Sequence, residues 1–312
     1  MKLLLSKPRG FCAGVVRAIE TVEKALKIWG APIYVKHQIV HNRHVVEDLE
    51  KKGAIFIEDL SEVPEGARII YSAHGIPPSV RDEAKKRNLI EIDASCGLVI
   101  RVHSAAKRYA KKGYHILLIG HRNHVEVIGT AGEAPEDTTI IESVEDVEKL
   151  TFPQEQRLFY TTQTTLSLDD VKEITDALKE KYPFIETLPS SSICYATTNR
   201  QLALREITHT VDVVLVVGDP TSSNSNRLVE VARKRGVPGY LINSPDEIDP
   251  KWLEGANAIG LTAGASTPES VVQQCIKRLI SLGVTSTEEV EYTEENVFFE
   301  LPKEVLTLQT SS

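Results

Sequence analysis

The sequence lacks the long apolar run that a membrane-spanning helix needs. No stretch of the 312 residues approaches the roughly 20 consecutive apolar residues required to cross a bilayer. The apolar start Leu3 to Leu5 is too short for the core of a signal peptide, and no arginine-rich, acid-poor transit sequence accompanies it. The sequence therefore predicts a cytoplasmic protein without a membrane partner.

Cysteine is scarce, and its spacing excludes the common small cysteine motifs. The chain has four cysteines and no CxxC pair, which argues against a disulfide framework, a zinc ribbon and a thioredoxin site. Neither GxxxxGK(S/T) nor GxGxxG occurs, so nucleotide binding has no support. The formal net charge of -8 argues against broad binding to nucleic acid. One local basic helix is predicted, with Arg101, Lys107, Arg108, Lys111 and Lys112.

Three of the cysteines follow a predicted strand and precede a predicted helix. Cys12 has this setting, and Cys96 and Cys194 repeat it 84 (96 minus 12) and 98 (194 minus 96) residues further on. The free backbone N–H groups at a helix start, together with the helix dipole, favour a thiolate over a thiol. Cys275 differs because it falls inside the helical pattern 268–282, where a small buried thiol is expected.

The segments between these cysteines repeat one order of elements. Strands alternate with helices, and three polar loops recur at matching positions in each repeat, which predicts parallel-rich α/β layers. Ligands of such folds collect at strand carboxyl ends, so three similar α/β units around a pseudo-threefold axis would aim nine loops at one centre. The predicted units are 13–96, 97–193 and 194–282, the last with the N-terminal strand of 1–12, followed by a tail over 283–312.

Three cysteines that meet without a fourth would suit a metal held by thiolates. Two interpretations stay open, namely a catalytic zinc with an open position and an iron–sulfur cluster in which one iron lacks a protein ligand. Three unrelated buried cysteines are the structural alternative. The matching positions at three helix starts argue against that alternative.

The other loops predict a site for an anion of the phosphate type. They combine histidines with hydroxyl and amide side chains at predicted helix N-termini, although each such residue alone is more often a cap or an ordinary polar residue. The candidates are His41, His74, His124, Thr164, Thr165, Ser222, Ser223, Asn224 and Ser266. Glu126 adds one carboxylate, and burial beside negative groups would raise its pKa and suit it to donate a proton.

Seven motifs carry a resemblance to a known family across essentially the whole chain. They are PRGFCAGV (8–15), VHN (40–42), SAHG (72–75), QTTLS (163–167), CYATTNRQ (194–201), SSNSNRL (222–228) and TAGAS (262–266). With them the sequence closely resembles the 4-hydroxy-3-methylbut-2-enyl diphosphate reductase family. The resemblance implies an oxidoreductase that forms isopentenyl and dimethylallyl diphosphate, the last step of the methylerythritol phosphate route to isoprenoids.

The resemblance also implies roles for the candidate residues. Cys12, Cys96 and Cys194 would hold one four-iron, four-sulfur (4Fe-4S) cluster with an open iron. Glu126 and Thr165 would protonate and orient the departing hydroxyl, with Thr164 lining the same pocket. The diphosphate of the allylic substrate would be bound by His41, His74, His124, Ser222, Ser223, Asn224 and Ser266. A ferredoxin or flavodoxin is the implied electron donor, and the basic helix 101–112 is a candidate for its docking face.

Two positions depart from the family pattern. The family usually has proline where this chain has Gly97, and it usually has His-Pro-Glu where this chain has Val125 between His124 and Glu126. Both changes loosen the backbone beside functional residues, so we expect an altered rate or cluster lability rather than another reaction. Two other functions are considered: a hydro-lyase that uses an open cluster iron as a Lewis acid, and an iron–sulfur sensor or scaffold.

Overall fold

The computed structural model describes residues 1–306, in which strands and helices alternate. The strands are β1 (Lys2–Lys7), β2 (Ile33–Lys36), β3 (Ala54–Ile57), β4 (Arg68–Tyr71), β5 (Ile90–Asp93), β6 (His115–Ile119), β7 (Thr138–Ile141), β8 (Leu158–Thr162), β9 (Glu186–Thr187), β10 (Val213–Val217), β11 (Gly239–Ile242), β12 (Ala258–Ala263) and β13 (Ser286–Glu291). The helices are α1 (Ala13–Trp29), α2 (Arg43–Lys51), α3 (Pro78–Lys86), α4 (Gly97–Ala110), α5 (Val125–Ala131), α6 (Val144–Lys149), α7 (Leu168–Lys181), α8 (Tyr195–Ile207), α9 (Ser223–Lys234), α10 (Glu269–Ser281) and α11 (Lys303–Leu306). Every helix within residues 1–306 falls short of the length and apolar character that a membrane crossing requires.

The strands form three sheets that share one strand order. The orders are β3-β2-β4-β5, β7-β6-β8-β9 and β11-β10-β12-β1-β13, and every pair is parallel. In each sheet the fourth strand of this order, namely β5, β9 or β1, leads to one of the three repeated cysteines. The prediction of three similar α/β units is therefore confirmed.

The third sheet has an additional strand at its edge. Residues 286–291, which fall in the predicted tail 283–312, form β13 and pair in parallel with β1 from Lys2 to Lys7. Charged side chains on the two strands form exposed ion pairs, such as Lys2 with Glu288 at 2.6 Å. These residues are polar because they form a solvent-exposed edge strand, whereas the sequence had indicated a tail.

The described chain divides into two compact units. Unit 1 contains Met1–Val15, His41–Val45 and Tyr195–Phe298, and unit 2 contains Val16–Val40, Val46–Cys194 and the described residues from Phe299 onward. Unit 1 has the five-stranded sheet, and unit 2 has both four-stranded sheets.

The sheet of unit 1 is buried on both faces. Leu3 and Leu5 of β1 pack with α10 on one face, whereas Leu4 packs with α8 and α9 on the other. Because side chains alternate across a strand, a strand covered on both faces reads as an uninterrupted apolar run. This explains the continuous apolar sequences at Leu3 to Leu5 and Val213 to Val217.

Candidate active site

The backbone N–H of each repeated cysteine donates a hydrogen bond to the loop after the third strand of its own sheet. The three bonds are Cys12 to the Ala265 carbonyl (3.2 Å), Cys96 to the Ala73 carbonyl (3.0 Å) and Cys194 to the Thr164 carbonyl (3.0 Å). Each accepting loop contains candidate substrate-binding residues: Ser266, His74, and Thr164 with Thr165. The repeat predicted from the sequence therefore extends to the hydrogen bonds that position the cysteines.

The chemistry of these three cysteines fits a metal group held by thiolates. Cys12, Cys96 and Cys194 are half-buried, and the residue after each begins α1, α4 or α8. Cys275 is fully buried inside α10, and burial raises the pKa of its thiol to about 12, so it stays protonated. This donor set suits both zinc and an iron–sulfur cluster.

Glu126 lies on the first turn of α5 and is almost completely buried, with 2% of its surface exposed. Its carboxylate accepts two hydrogen bonds from Thr164, one from the backbone N–H to Oε1 (2.6 Å) and one from the hydroxyl to Oε2 (3.0 Å). Burial raises the pKa of Glu126 to about 7, although the bonds from Thr164 oppose the shift. The carboxyl group can therefore hold a proton near neutral pH, as predicted.

Two of the three candidate histidines lie in unit 2 with Glu126. His124 is the N-cap of α5, and its Nδ1 accepts a hydrogen bond from the Glu126 N–H at 3.2 Å. Burial lowers the pKa of His124 to about 4, so its imidazole is neutral at pH 7. The His74 ring meets the His124 ring edge to face, with 6.1 Å between centroids, and Ser72 Oγ is 3.2 Å from His74 Nδ1.

Thr165 is positioned by its neighbour Gln163. The Gln163 amide donates from Nε2 to Thr165 Oγ1 at 3.0 Å, and Gln163 Oε1 accepts the His121 backbone N–H at 3.1 Å. Unit 2 thus brings together His74, His124, Glu126, Thr164 and Thr165, with Cys96 and Cys194 bonded to the same loops.

The remaining candidates lie in unit 1 and are linked through Ala265. The Asn224 Oδ1 accepts the Ala265 N–H at 2.9 Å, while the Ala265 carbonyl accepts the Cys12 N–H. The Ser266 hydroxyl donates to the His41 carbonyl at 2.9 Å. Ser222 is the N-cap of α9, and Ser223 is the first residue of this helix. Unit 1 therefore presents a helix N-terminus and a hydroxyl loop beside Cys12, as an anion site requires.

Two arginines support the cysteine loops, and the sequence reasoning missed both. Arg17 donates to the carbonyl of Ser95, the residue before Cys96 (2.7 Å), and its Nε donates to the Glu300 carbonyl (2.7 Å). Arg200 is fully buried and donates from Nη2 to the Gly10 carbonyl at 2.6 Å. The one available signal was position: each arginine lies within a motif helix, five or six residues after a repeated cysteine.

The two departures from the family pattern occupy equivalent positions. Gly97 and Val125 are the first residues of α4 and α5, where proline is favoured because its missing N–H costs nothing there. Both helices begin at these residues without proline. At Gly97 a Cβ would lie 3.0 Å from Cε1 of Phe299, so the glycine lets this aromatic ring pack closely against the start of α4.

Comparisons with known proteins agree with the resemblance. The model of the family described as LytB protein matches residues 3–280. A protein of Protochlamydia amoebophila called 4-hydroxy-3-methylbut-2-enyl diphosphate reductase is 71% identical over 311 residues, and the match covers 100% of this chain and 99% of that protein. The protein of that name in Chlamydia pneumoniae is 64% identical, and the match covers 97% of this chain and 98% of that protein.

Solved structures show the same similarity in three dimensions. The E-1-hydroxy-2-methyl-but-2-enyl-4-diphosphate reductase of Plasmodium falciparum matches with a TM-score of 0.96 and 52% identity, covering 98% of this chain and 96% of that one. A second structure, described as the terminal enzyme of the non-mevalonate pathway, matches with a TM-score of 0.64 and 31% identity over 90% of this chain. The chain belongs to the LytB protein family.

Proposed function

We propose that this protein is an iron–sulfur oxidoreductase that converts 4-hydroxy-3-methylbut-2-enyl diphosphate into isopentenyl diphosphate and dimethylallyl diphosphate. The reaction is a reductive dehydroxylation, the last step of the methylerythritol phosphate route. Two relatives named for this activity match 97% and 100% of the chain, and all residues that the family pattern assigns to binding and catalysis are present.

The observation that carries the proposal is the bonded series Glu126, Thr164 and Cys194. Thr164 donates two hydrogen bonds to the Glu126 carboxyl group and accepts one from the Cys194 N–H. A proton donor with a pKa of about 7 is thereby fixed to the same loop as a proposed metal ligand. Reductive loss of a hydroxyl group needs a proton and electrons at one place, and this arrangement is suited to supplying both.

Cys12, Cys96 and Cys194 are the residues that would hold a four-iron, four-sulfur cluster. When bound, this group would supply the two electrons of the reaction one at a time. Cys275 takes no part, because its buried thiol stays protonated.

The proposed proton chemistry uses Glu126. The C–O bond of the allylic hydroxyl breaks, two electrons and two protons are consumed, and one molecule of water leaves. The protonated Glu126 gives its proton to the departing oxygen, and Thr165, positioned by Gln163, orients this hydroxyl group. The second proton forms a C–H bond, and its addition at one or the other end of the allylic system gives one or the other product.

Binding of the diphosphate is assigned to His41, His74, His124, Ser222, Ser223, Asn224 and Ser266. His124 illustrates the chemistry: its Nδ1 accepts from the Glu126 N–H, so the neutral ring carries its proton on Nε2. The neutral His124 can bind the diphosphate without adding positive charge beside Glu126. A positive charge there would lower the pKa of that acid.

The electron donor is proposed to be a ferredoxin or flavodoxin, in a cytoplasmic setting. The outer face of α4 and the turn after it carry exposed basic side chains, namely Lys107, Arg108, Lys111 and Lys112. This face suits an acidic electron-transfer protein.

The cluster assignment is tested by purifying the protein without oxygen and measuring iron and acid-labile sulfide. We expect about four of each per chain. Serine at Cys12, Cys96 or Cys194 should lower both contents, whereas the control Cys275→Ser should leave them unchanged. Zinc in place of iron, or iron loss in the control variant, would contradict the assignment.

A further inference from the structure

His103 is a buried histidine that the proposed chemistry does not use. It lies in the middle of α4, has 8% of its surface exposed, and is surrounded along the helix by the buried residues Val99, Val102 and Ala106. Its Nδ1 is 3.1 Å from Oε1 of Glu133, which follows α5, and Glu133 is itself mostly buried. This pairing fixes the orientation of the imidazole ring.

The opposite edge of the ring touches two glycines. A Cβ at Gly75 would lie 2.9 Å from His103 Nε2 and 3.1 Å from its Cε1. A Cβ at Gly129 would lie 3.1 Å from Cε1 and 3.3 Å from Nε2. A Cβ at Gly75 would collide with the ring, and a Cβ at Gly129 would press tightly against it, so the close approach depends on both glycines.

The two glycines belong to the two segments that carry the proposed chemistry. Gly75 follows His74 directly and has a positive φ of 79°, and Gly129 lies in α5, one turn after Glu126. A Cβ at Gly129 would also lie 3.5 Å from the carbonyl carbon of Gly75, so the segments touch each other beside the ring. One imidazole thus contacts both the His74 loop and the Glu126 helix.

Packing, rather than hydrogen bonding, accounts for this contact. Among the described residues, the buried Nε2 of His103 has no hydrogen-bond partner, while Nδ1 is engaged by Glu133. The ring therefore acts as a rigid spacer whose position is set on one side by Glu133 and on the other by the two glycines.

We propose that His103 is a positioning residue that fixes the diphosphate-binding loop of His74 relative to the acid helix of Glu126, with Glu133 as its anchor. The inference rests on the proposed function, which assigns the diphosphate to His74 and the proton to Glu126. Loss of the ring should therefore affect substrate binding and turnover together, although His103 touches neither group directly.

The test compares His103→Ala, which removes the ring, with His103→Phe, which keeps a ring of similar size. His209→Ala, at an exposed histidine in the turn after α8, is the control. We expect His103→Ala to lower kcat by about 10- to 100-fold and to raise KM by about tenfold, the scale of a misplaced catalytic group and of one lost contact to a charged group. We expect His103→Phe to recover most of both losses.

Hydrogen exchange of the substrate-free holoenzyme gives a readout independent of activity. In His103→Ala, exchange at the His74 loop and at α5 should accelerate together, with iron content unchanged, whereas the control should match the wild type. Unchanged exchange, or equal kinetic losses in the Ala and Phe variants, would overturn the inference. If His103→Ala does not fold, Glu133→Ala releases the anchor and is expected to accelerate exchange at the same two segments.

The two proposals fail in different ways. A wild-type protein that forms no product contradicts the proposed function, yet the exchange measurement still decides whether His103 joins the two segments. A wild-type protein that forms product, combined with a His103→Ala variant of normal exchange and kinetics, contradicts the positioning role alone.

Discussion

Replacing Glu126 by Gln should remove the proposed proton donor with little change in shape. The Gln carbonyl can still accept the Thr164 N–H now bonded at 2.6 Å, and the Gln amide can donate to the Thr164 hydroxyl, which lies 3.0 Å from Oε2. We expect turnover to fall by about 100-fold or more, the usual scale for a general acid. In the wild type, turnover should also fall as pH rises through about 7, because the acid then loses its proton.

The same substitution changes how stability depends on pH. The folded-state pKa of about 7 lies above the ordinary value of 4.5, so the folded state binds this proton more tightly than the unfolded state does. The corresponding stability is fully present below pH 4.5 and is lost as pH rises through 7. At 1.36 kcal/mol for each tenfold change in affinity, the loss between these limits is on the order of 3 kcal/mol.

The assay is thermal unfolding of the anaerobic holoenzyme at pH 5 and pH 8. For a chain of this size, 3 kcal/mol corresponds to about 5 °C in Tm. Between pH 5 and pH 8, the Tm of the wild type should fall by about 5 °C more than the Tm of Glu126→Gln, because the Gln side chain has no carboxyl group to titrate. The control is Glu145→Gln, at an exposed glutamate in the same helical position of α6. If wild type and Glu126→Gln respond equally to pH, or if the variant turns over normally, the reasoning about Glu126 is refuted.

Further predictions concern residues that support the two units. Arg200→Met should cost about 3–5 kcal/mol in urea unfolding, because it leaves the buried partners of this guanidinium unpaired; a cost below about 1 kcal/mol would contradict the assigned role. Gly264→Ala should weaken diphosphate binding, because its Cβ would lie 2.0 Å from the hydroxyl oxygen of Ser225, the residue after Asn224. The added change Ser225→Ala removes this clash and should restore binding. Normal binding in the single variant would contradict this prediction. Phe299→Ala removes the ring packed against the start of α4 and should hasten iron loss to a chelator, whereas Phe298→Ala, at a side chain 77% exposed, should not.

The periodic parts of the fold were predictable from the sequence. The runs at Leu3 to Leu5 and Val213 to Val217 are strands buried on both faces, and the positions of Cys12, Cys96 and Cys194 after strands and before helices follow from local pattern alone. The direction of the pKa shift of Glu126 was also predictable, since burial of a carboxyl group disfavours its charged form.

Other features depend on contacts that the sequence does not encode locally. The pairing of β13 with β1 joins residues more than 280 positions apart, and its polar composition resembles that of a tail. The strand before Cys194, β9, has only the two residues Glu186 and Thr187, and the apolar Phe184 just before it is 93% exposed. His103 reads as an ordinary polar residue in a helix, because only the folded chain places Gly75 and Gly129 against its ring.

The most direct test of the proposed function is anaerobic turnover of 4-hydroxy-3-methylbut-2-enyl diphosphate with a one-electron reductant present or omitted. We predict isopentenyl and dimethylallyl diphosphate only when reductant is present, with two electrons consumed for each product molecule. Loss of the hydroxyl group without reductant would instead indicate a hydro-lyase. A bound cluster with no conversion under either condition would indicate a sensor or scaffold, and either result would contradict the reductase assignment.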